Sequence, residues 1–295
     1  MRVQEGFIPY LGYQTYYRIA GDLHSGRTPL VLLHGGPGST HNYFETLDIL
    51  AEEGQPLLMY DQLGCGQSWV EGHPELWRAE TWVHELEALR EYLDLPEIHL
   101  LGQSWGGMLL LDYVCNYHPV GVKSLILSST LPASWMWGIE QHRMIKELPK
   151  EMQEAIDDAV SRDDYTGEAY QAAEDEFMFR HAAGDVSRLG FDCLTRAKRI
   201  GRESYLTAWG PNEFTPTGTL KDFDVTGQLK EIAQPALIIS GGNDLCTPYI
   251  AKYMYDRIPN ARWELFRTCR HCCFVEENEA YVQLLREWLK AETEA

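Results

Sequence analysis

Basic residues are scarce in this chain of 295 residues. It has 25 lysines and arginines against 44 aspartates and glutamates, so its formal net charge is −19 at pH 7. A surface field of this sign repels phosphate backbones and anionic lipid headgroups. We therefore expect neither a nucleic acid nor a membrane as a partner.

Long hydrophobic runs are also missing. No stretch approaches 18 uninterrupted apolar residues, and Met1–Gly6 contains no apolar segment of the kind found in signal peptides. The seven cysteines are an odd number scattered over a long chain, which favours reduced thiols over a disulfide framework. We therefore predict a cytoplasmic protein.

The cysteine spacing typical of zinc sites is absent. Cys269, His271, Cys272 and Cys273 are close in sequence, but adjacent cysteines lack the C-x₂₋₄-C spacing and no second ligand pair follows. We expect no metal and no cofactor.

Neither glycine nor proline dominates the composition. The chain has 25 glycines and 14 prolines, with 44% hydrophobic and 23% charged residues. Collagen-like, coiled-coil and intrinsically disordered chains have other balances. The sequence is typical of a globular protein that can bury a sizeable core.

Short apolar segments recur between glycine-rich turns. Segments that are apolar on both faces are typical of central strands in a mostly parallel sheet. Between the segment that ends at Tyr60 and the one that begins at Ile98, apolar residues recur at helical spacing. They are Trp82, Leu86, Leu89 and Leu93. This alternation of strand and helix predicts an α/β fold. The predicted central strands are Leu30–Leu33, Pro56–Tyr60, Ile98–Leu101, Val122–Leu127, Ala236–Ile239 and Trp263–Phe266.

Other patterns occur towards the two ends of the chain. Phe7–Tyr10 and Gln14–Ile19, joined by a short turn, predict an antiparallel hairpin at the edge of the sheet. Asn278–Lys290 places its apolar residues on one helical face, which predicts a helix near the carboxyl end.

The segment from about Leu131 to Val225 lacks strand patterns. Its sequence is helical and rich in aromatic residues, as in Tyr170–Phe179. This change predicts a helical domain inserted into the sheet-forming part of the chain. The predicted division is a first core part, 1–130, a helical cap, 131–225, and a second core part, 226–295.

Gly102–Gly107 contains the pattern G-x-S-x-G around Ser104. It follows a predicted strand and precedes the helix-like Met108–Tyr113, which is the context of a nucleophile elbow. In that turn only small residues two positions before and after the serine leave room for it. Ser104 is therefore the candidate nucleophile.

His34–Gly38 follows another predicted strand and reads His-Gly-Gly-Pro-Gly. In this class of hydrolases a backbone N–H from such a loop and the N–H after the nucleophile bind the oxyanion. Gly36 and Trp105 are the candidate donors. Without the elbow, the same loop would be a plain glycine-proline turn.

A serine nucleophile at such an elbow acts in a catalytic triad whose members follow one another along the chain as Ser, then an acid, then His. Asp244 follows the strand Ala236–Ile239, and His271 follows the strand Trp263–Phe266. Of the ten histidines, only His271 lies after Asp244. We therefore predict Asp244 and His271 as the remaining triad members.

Asp61 is the main competing acid. It lies before the nucleophile, in a glycine-rich turn that begins after the strand ending at Tyr60. We interpret its carboxylate as a cap that orders this turn.

Together these motifs resemble the proline iminopeptidase family of α/β-hydrolase serine peptidases. The resemblance extends over nearly the whole chain and is greatest to the lactic-acid-bacterial enzymes and the archaeal tricorn-interacting aminopeptidase. The segments that carry it are His34–Gly38, Asp61–Gly66, Gly102–Gly107 and Gly210–Glu213.

The resemblance implies an α/β-hydrolase fold with a mostly parallel central sheet and an inserted helical cap. It implies a serine aminopeptidase that releases N-terminal residues, preferably proline, from short peptides with a free N-terminus. It also implies that acids in the cap hold the substrate amine, and Glu213 matches one of them. Two positions differ: Leu245 replaces a glutamate that follows the triad acid in the archaeal relative, and Arg270 replaces the usual glycine before the triad histidine.

Two other hypotheses are open at this point. The first is an amino-acid amidase or esterase on the same scaffold, which substrate comparison would distinguish. The second is a catalytically silent small-molecule receptor, since fold alone does not establish activity. The complete set of Ser104, Asp244 and His271 argues against the receptor.

Overall fold

The computed structural model describes residues 2–294 and contains one eight-stranded sheet. Its strands are β1 (Val3–Tyr10), β2 (Tyr13–Ala20), β3 (Leu30–Leu33), β4 (Leu57–Tyr60), β5 (Ile98–Gln103), β6 (Val122–Ser128), β7 (Ala236–Gly241) and β8 (Ala261–Phe266). Their order is β1-β2-β4-β3-β5-β6-β7-β8. β1 with β2 and β2 with β4 are antiparallel pairs, whereas β3 to β8 are parallel to one another. The mostly parallel sheet is confirmed.

The edge hairpin is also confirmed, but β1 begins at Val3 and not at the predicted Phe7. Most of β1 is exposed or half-buried, including Gln4 and Glu5. An edge strand needs little apolar surface, so the hydrophobic pattern did not mark its beginning.

Helices cover both faces of the sheet. They are α1 (Ile49–Glu52), α2 (Ala79–Tyr92), α3 (Trp105–Asp112), α4 (Ser134–Ile145), α5 (Lys150–Arg162), α6 (Glu168–His181), α7 (Asp192–Thr195), α8 (Arg202–Ala208), α9 (Pro248–Tyr255), α10 (Cys273–Glu276) and α11 (Asn278–Glu294). Within residues 2–294, no helix is both long and apolar enough to cross a lipid bilayer.

Alternate residues of the central strands face two separate hydrophobic cores. In β3, Val31 and Leu33 belong to the core that contains residues of α2 and α3, whereas Leu30 and Leu32 belong to the core that contains residues of α11. All four side chains are fully buried. Burial on both faces explains why these segments are apolar throughout.

The regular elements described between β6 and β7 are helical, from α4 to α8. The two chain segments that lead into and out of this region meet. Val225 N–H donates to the Pro132 carbonyl, and Ser134 N–H donates to the Phe223 carbonyl, both at 2.9 Å. The domain boundaries at 131 and 225 stay a prediction.

Candidate active site

Ser104 lies at the sharp turn between β5 and α3. Its backbone has φ 56° and ψ −123°, a combination that residues other than glycine rarely adopt. A Cβ on Gly102 would lie 2.3 Å from the Gly106 carbonyl oxygen. A Cβ on Gly106 would lie 1.9 Å from the Leu33 carbonyl oxygen. Neither position has room for a side chain, so both must be glycine. The geometry is that of a nucleophile elbow.

Asp244 and His271 meet beyond the carboxyl ends of β7 and β8. The end of β7 and the segment before His271 approach each other closely. A Cβ on Gly241 would lie only 2.2 Å from the Arg270 carbonyl oxygen. His271 Nδ1 and Asp244 Oδ1 are 2.7 Å apart, and Asp244 is fully buried. The carboxylate also accepts the N–H groups of Gly241 at 3.0 Å and Cys246 at 2.8 Å. Because a carboxylate only accepts, Nδ1 carries the proton and Nε2 is left as the basic nitrogen.

The two chain segments that carry the predicted oxyanion donors lie next to Ser104. Trp105 is the first residue of α3, and N–H groups in the first turn of a helix have no acceptor within that helix. The loop that contains Gly36 packs against Ser104, since a Cβ on Gly35 would lie 3.1 Å from Ser104 Cβ. Gly36 has φ +118°, which only glycine adopts readily, so its N–H takes a direction that another residue would not allow.

Asp61 forms hydrogen bonds with its own turn and with His41, which follows β3 in the chain. Its Oδ1 accepts the backbone N–H of His41 at 3.0 Å and the His41 Nδ1–H at 2.6 Å, and its Oδ2 accepts the Gln67 N–H at 2.9 Å. Burial acts to raise the pKa of Asp61, but the hydrogen bonds from His41 and Gln67 outweigh it and lower that pKa. These contacts agree with the structural interpretation of Asp61.

Glu85 of α2 is fully buried and supports the same loop two residues further on. Its carboxylate accepts the Thr15 hydroxyl at 2.5 Å and the Leu63 N–H at 2.9 Å. Burial raises the pKa of Glu85 to about 8, although both hydrogen bonds act to lower it. At neutral pH the folded protein therefore holds a proton that an unfolded chain releases near pH 4.3.

We expect this proton to make stability fall as the pH rises from about 5 to 8, because the folded state binds more protons than the unfolded state in that window. One such group contributes a slope of up to about 1.4 kcal/mol per pH unit. Glu85→Gln should remove this dependence on pH. The unfolding free energy of the variant should therefore rise relative to that of the parent between pH 6 and pH 8. Urea unfolding measures this, with the exposed Glu87→Gln on the same helix as control. Identical pH dependence in the parent and Glu85→Gln would contradict the prediction.

Glu213 reaches the site from the inserted segment. Its carbonyl accepts the Trp137 indole N–H at 2.7 Å, and the Trp137 ring lies edge-on to the His271 ring at 6.4 Å. Its carboxylate accepts the Tyr205 hydroxyl. Burial raises the pKa of Glu213, while the Tyr205 hydrogen bond and the neighbouring His271 act to lower it. The segment also contacts the triad directly, since the backbone N–H of His271 donates to the His181 carbonyl at 3.0 Å.

Sequence reasoning missed Glu174 on α6. Tyr170 donates its hydroxyl to the Glu174 carboxylate at 2.7 Å. After burial, the charge of Glu174 is among the causes that raise the pKa of both Glu213 and Tyr205. The available signal was the spacing of Tyr170, Glu174 and His181, which places them on one helical face. Nothing in the sequence showed what that face meets. Sequence reasoning also assigned no role to Gln62, which lies within Asp61–Gly66.

Asp244, Cys246 and His271 have potential ligand atoms within 4.8 Å of one another. The acid and the imidazole are already hydrogen-bonded to each other. Burial raises the pKa of the Cys246 thiol well above its ordinary value, whereas metals bind the thiolate. The three residues are explained as a hydrogen-bonded acid and imidazole beside a buried thiol.

Comparisons with known proteins identify the family. Residues 28–278 match the family model of the alpha/beta hydrolase fold. A proline iminopeptidase of Clostridium botulinum is 57% identical over 98% of this chain and 99% of its own length. A proline iminopeptidase of Lactiplantibacillus plantarum is 55% identical over 96% of this chain and 99% of its own. The chain belongs to the proline iminopeptidase family. It is an enzyme, a hydrolase of this family's type.

Solved structures agree with the family assignment. The proline iminopeptidase of Mycobacterium smegmatis shares 29% identity with a TM-score of 0.86, and the match covers 98% of both chains. VinJ shares 32% identity with a TM-score of 0.87 over 98% of both chains. These matches span the sheet and the inserted helices alike. The predicted α/β-hydrolase fold class and the predicted membership of the proline iminopeptidase family are confirmed.

Proposed function

We propose that this protein is a serine aminopeptidase that releases N-terminal residues, preferably proline, from short peptides with a free N-terminus. The observation that carries the substrate class is the half-buried carboxylate of Glu213, which is close enough to His271 for that residue to act on its pKa. A partly desolvated acid in this position suits a cationic amine, which would compensate its loss of solvation.

The proposed mechanism gives each part of the site a role. Ser104 Oγ attacks the scissile carbonyl, and His271 Nε2 removes its proton and later gives it to the leaving amine. Asp244 keeps the imidazole in the tautomer that exposes Nε2. The N–H groups of Gly36 and Trp105 bind the oxyanion, aided by the positive end of α3. Water then attacks the acyl-enzyme. His271 Nε2 takes a proton from this water and gives it to Ser104 Oγ as the acyl group leaves.

Residues 131–225 form a cap over this site in our proposal. Support comes from the contacts of Trp137 and His181 with His271, which reach the triad from within this segment. A cap in this position limits access to short peptides. A cytoplasmic location is part of the proposal, and it is supported by the seven cysteines, all of which are free thiols.

The cap supplies the amine subsite. Glu213 holds its carboxylate against the Tyr205 hydroxyl, and Glu174 adds a second negative charge close by, held by Tyr170. The buried Leu245 carries no charge, so these two acids are the carboxylates that we assign to the amine. We propose Glu213 as the principal amine ligand because Trp137 contacts both Glu213 and the His271 ring. Glu174, by contrast, is bonded to Tyr170.

We expect Glu213→Ala to lower kcat/KM for free-amine substrates about 100-fold or more. Truncating one partner of a desolvated ammonium–carboxylate pair costs about 2–5 kcal/mol, and about 1.4 kcal/mol corresponds to tenfold. Hydrolysis of prolyl-naphthylamide measures the loss. Labelling of Ser104 by a fluorophosphonate, which has no amine to bind, should be spared.

The controls separate an amine contact from a general effect of charge. Glu174→Gln should lower kcat/KM less than Glu213→Ala, and Asp175→Asn, an exposed neighbour on the same helix, should leave it unchanged. N-acetylated substrates should be poor with the parent and no worse with Glu213→Ala. A change below about threefold in Glu213→Ala, or equal cleavage of acetylated and free substrates by the parent, would reject the amine subsite and favour an amidase or esterase.

A further inference from the structure

Gln62 connects the two chain segments that carry Gly36 and Trp105. It is buried, with 1% of its surface exposed. Its backbone N–H donates to His34 Nε2 at 3.0 Å, and its side-chain Nε2 donates to the His34 carbonyl at 3.0 Å. Its Oε1 accepts the Trp105 indole N–H at 2.8 Å. One residue is thus bonded to the start of the Gly36 loop and to the residue after Ser104.

The chemistry of the partners permits one arrangement of these bonds. An indole N–H only donates and a carbonyl only accepts, so the amide oxygen of Gln62 faces Trp105 and its nitrogen faces His34. The His34 Nδ1–H donates to the Gly35 carbonyl at 2.8 Å, which leaves Nε2 as an acceptor. Burial lowers the pKa of His34 to about 4, so the ring is neutral at physiological pH and Nε2 accepts.

Gln62 is itself held from behind. The next residue, Leu63, donates its N–H to Glu85 at 2.9 Å, and its carbonyl accepts the Trp82 indole N–H at 3.0 Å. The Trp82 ring packs edge-on against the Trp105 ring with centroids 5.2 Å apart. Fixed neighbours on both sides give Gln62 little freedom to move.

We propose that Gln62 is a positioning residue that sets the separation and direction of the two oxyanion donors. The inference rests on the proposed function, in which the Gly36 and Trp105 N–H groups bind the oxyanion. The glycines of His34–Gly38 have no side chains that could hold this loop against α3, so the bond has to come from outside. Gln62 acts through His34 and Trp105 and not on the substrate itself.

The oxyanion exists only in the transition state and the tetrahedral intermediate. Displaced donors therefore lower kcat and leave substrate binding nearly unchanged. Removing one donor outright costs about 10²–10³ in kcat, and a displacement of about 1 Å costs up to about 10². A residue with a merely structural role would lower stability without this separation of kcat from KM.

Two glutamines at opposite ends of β4 provide the test. Gln62 follows β4, whereas Gln55 precedes it, is also buried, and donates to the Thr28 carbonyl at 2.9 Å. We expect Gln62→Leu to lower kcat by about 30-fold or more, with KM within about twofold, on both prolyl-naphthylamide and p-nitrophenyl acetate. Gln55→Leu should lower the urea midpoint and leave kcat within about twofold.

Several results would overturn the proposal. They are a kcat within about threefold of the parent in Gln62→Leu, a raised KM with unchanged kcat, and an equal loss of kcat in Gln55→Leu. If Gln62→Leu fails to fold, Trp105→Phe takes its place, since it removes the indole N–H together with part of the ring and keeps the backbone donor. We then expect kcat to fall about 3- to 10-fold on both substrates, and an unchanged kcat would contradict the positioning role.

The acetate ester separates this inference from the proposed function. If the parent cleaves the ester but not the prolyl amide, and Gln62→Leu loses the ester activity, the positioning role stands and the aminopeptidase proposal fails. If Gln62→Leu keeps full activity on a prolyl amide that the parent cleaves, the positioning role fails and the aminopeptidase proposal stands.

Discussion

Ser104→Ala should lower kcat by about 10⁶-fold, because removal of a triad nucleophile leaves His271 with no hydroxyl to activate. The fold should persist, since alanine meets the same backbone strain as serine at φ 56° and ψ −123°. Prolyl-naphthylamide hydrolysis measures the loss, and circular dichroism with urea unfolding checks the fold.

Ser104→Gly is the matched control for this experiment. It also lacks the hydroxyl, so it should be as inactive as Ser104→Ala. Glycine adopts the observed backbone angles readily, so this variant should exceed Ser104→Ala in unfolding free energy by about 1–3 kcal/mol. An alanine variant within tenfold of the parent would show that Ser104 is not the nucleophile, and equal stability of the two variants would show that the elbow is not strained.

Asp244→Asn should lower kcat by about 10⁴-fold with little change in KM. The amide can turn its NH₂ towards His271, and the imidazole then accepts at Nδ1 and carries its proton on Nε2, the nitrogen that must act as base. The measurement is kcat and KM for prolyl-naphthylamide over a range of pH.

Asp61→Asn is the control for the same change of charge in another buried acid. Because Asp61 bonds His41 and Gln67 and not the triad, we expect its loss to appear in stability, at about 1–3 kcal/mol, with kcat reduced less than tenfold. The opposite ranking of the two variants in kcat would exchange the roles of Asp61 and Asp244.

Local patterns were sufficient to predict the central strands and the chain order of the proposed triad. The strand Leu30–Leu33 was predicted with the bounds that the structure has, because a strand buried on both faces is apolar at every position. The elbow at Ser104 was predicted because its pattern lies within six residues and follows a predicted strand, although the carbonyl that excludes a side chain at Gly106 belongs to Leu33. His271 was predicted because it is the only histidine in the sequence that follows Asp244.

The sequence by itself thus determined the sheet, the elbow and the chain order of Ser104, Asp244 and His271. The tertiary structure decided what those residues meet. The bond from Gln62 to Trp105 spans 43 positions, and the bond from Trp137 to the Glu213 carbonyl spans 76. Periodicity reports only which face of an element is apolar, and a polar side chain leaves no pattern that names its partner. The bonds of Gln62 to His34 and Trp105 and the place of Glu213 near His271 were therefore visible only once the chain was folded.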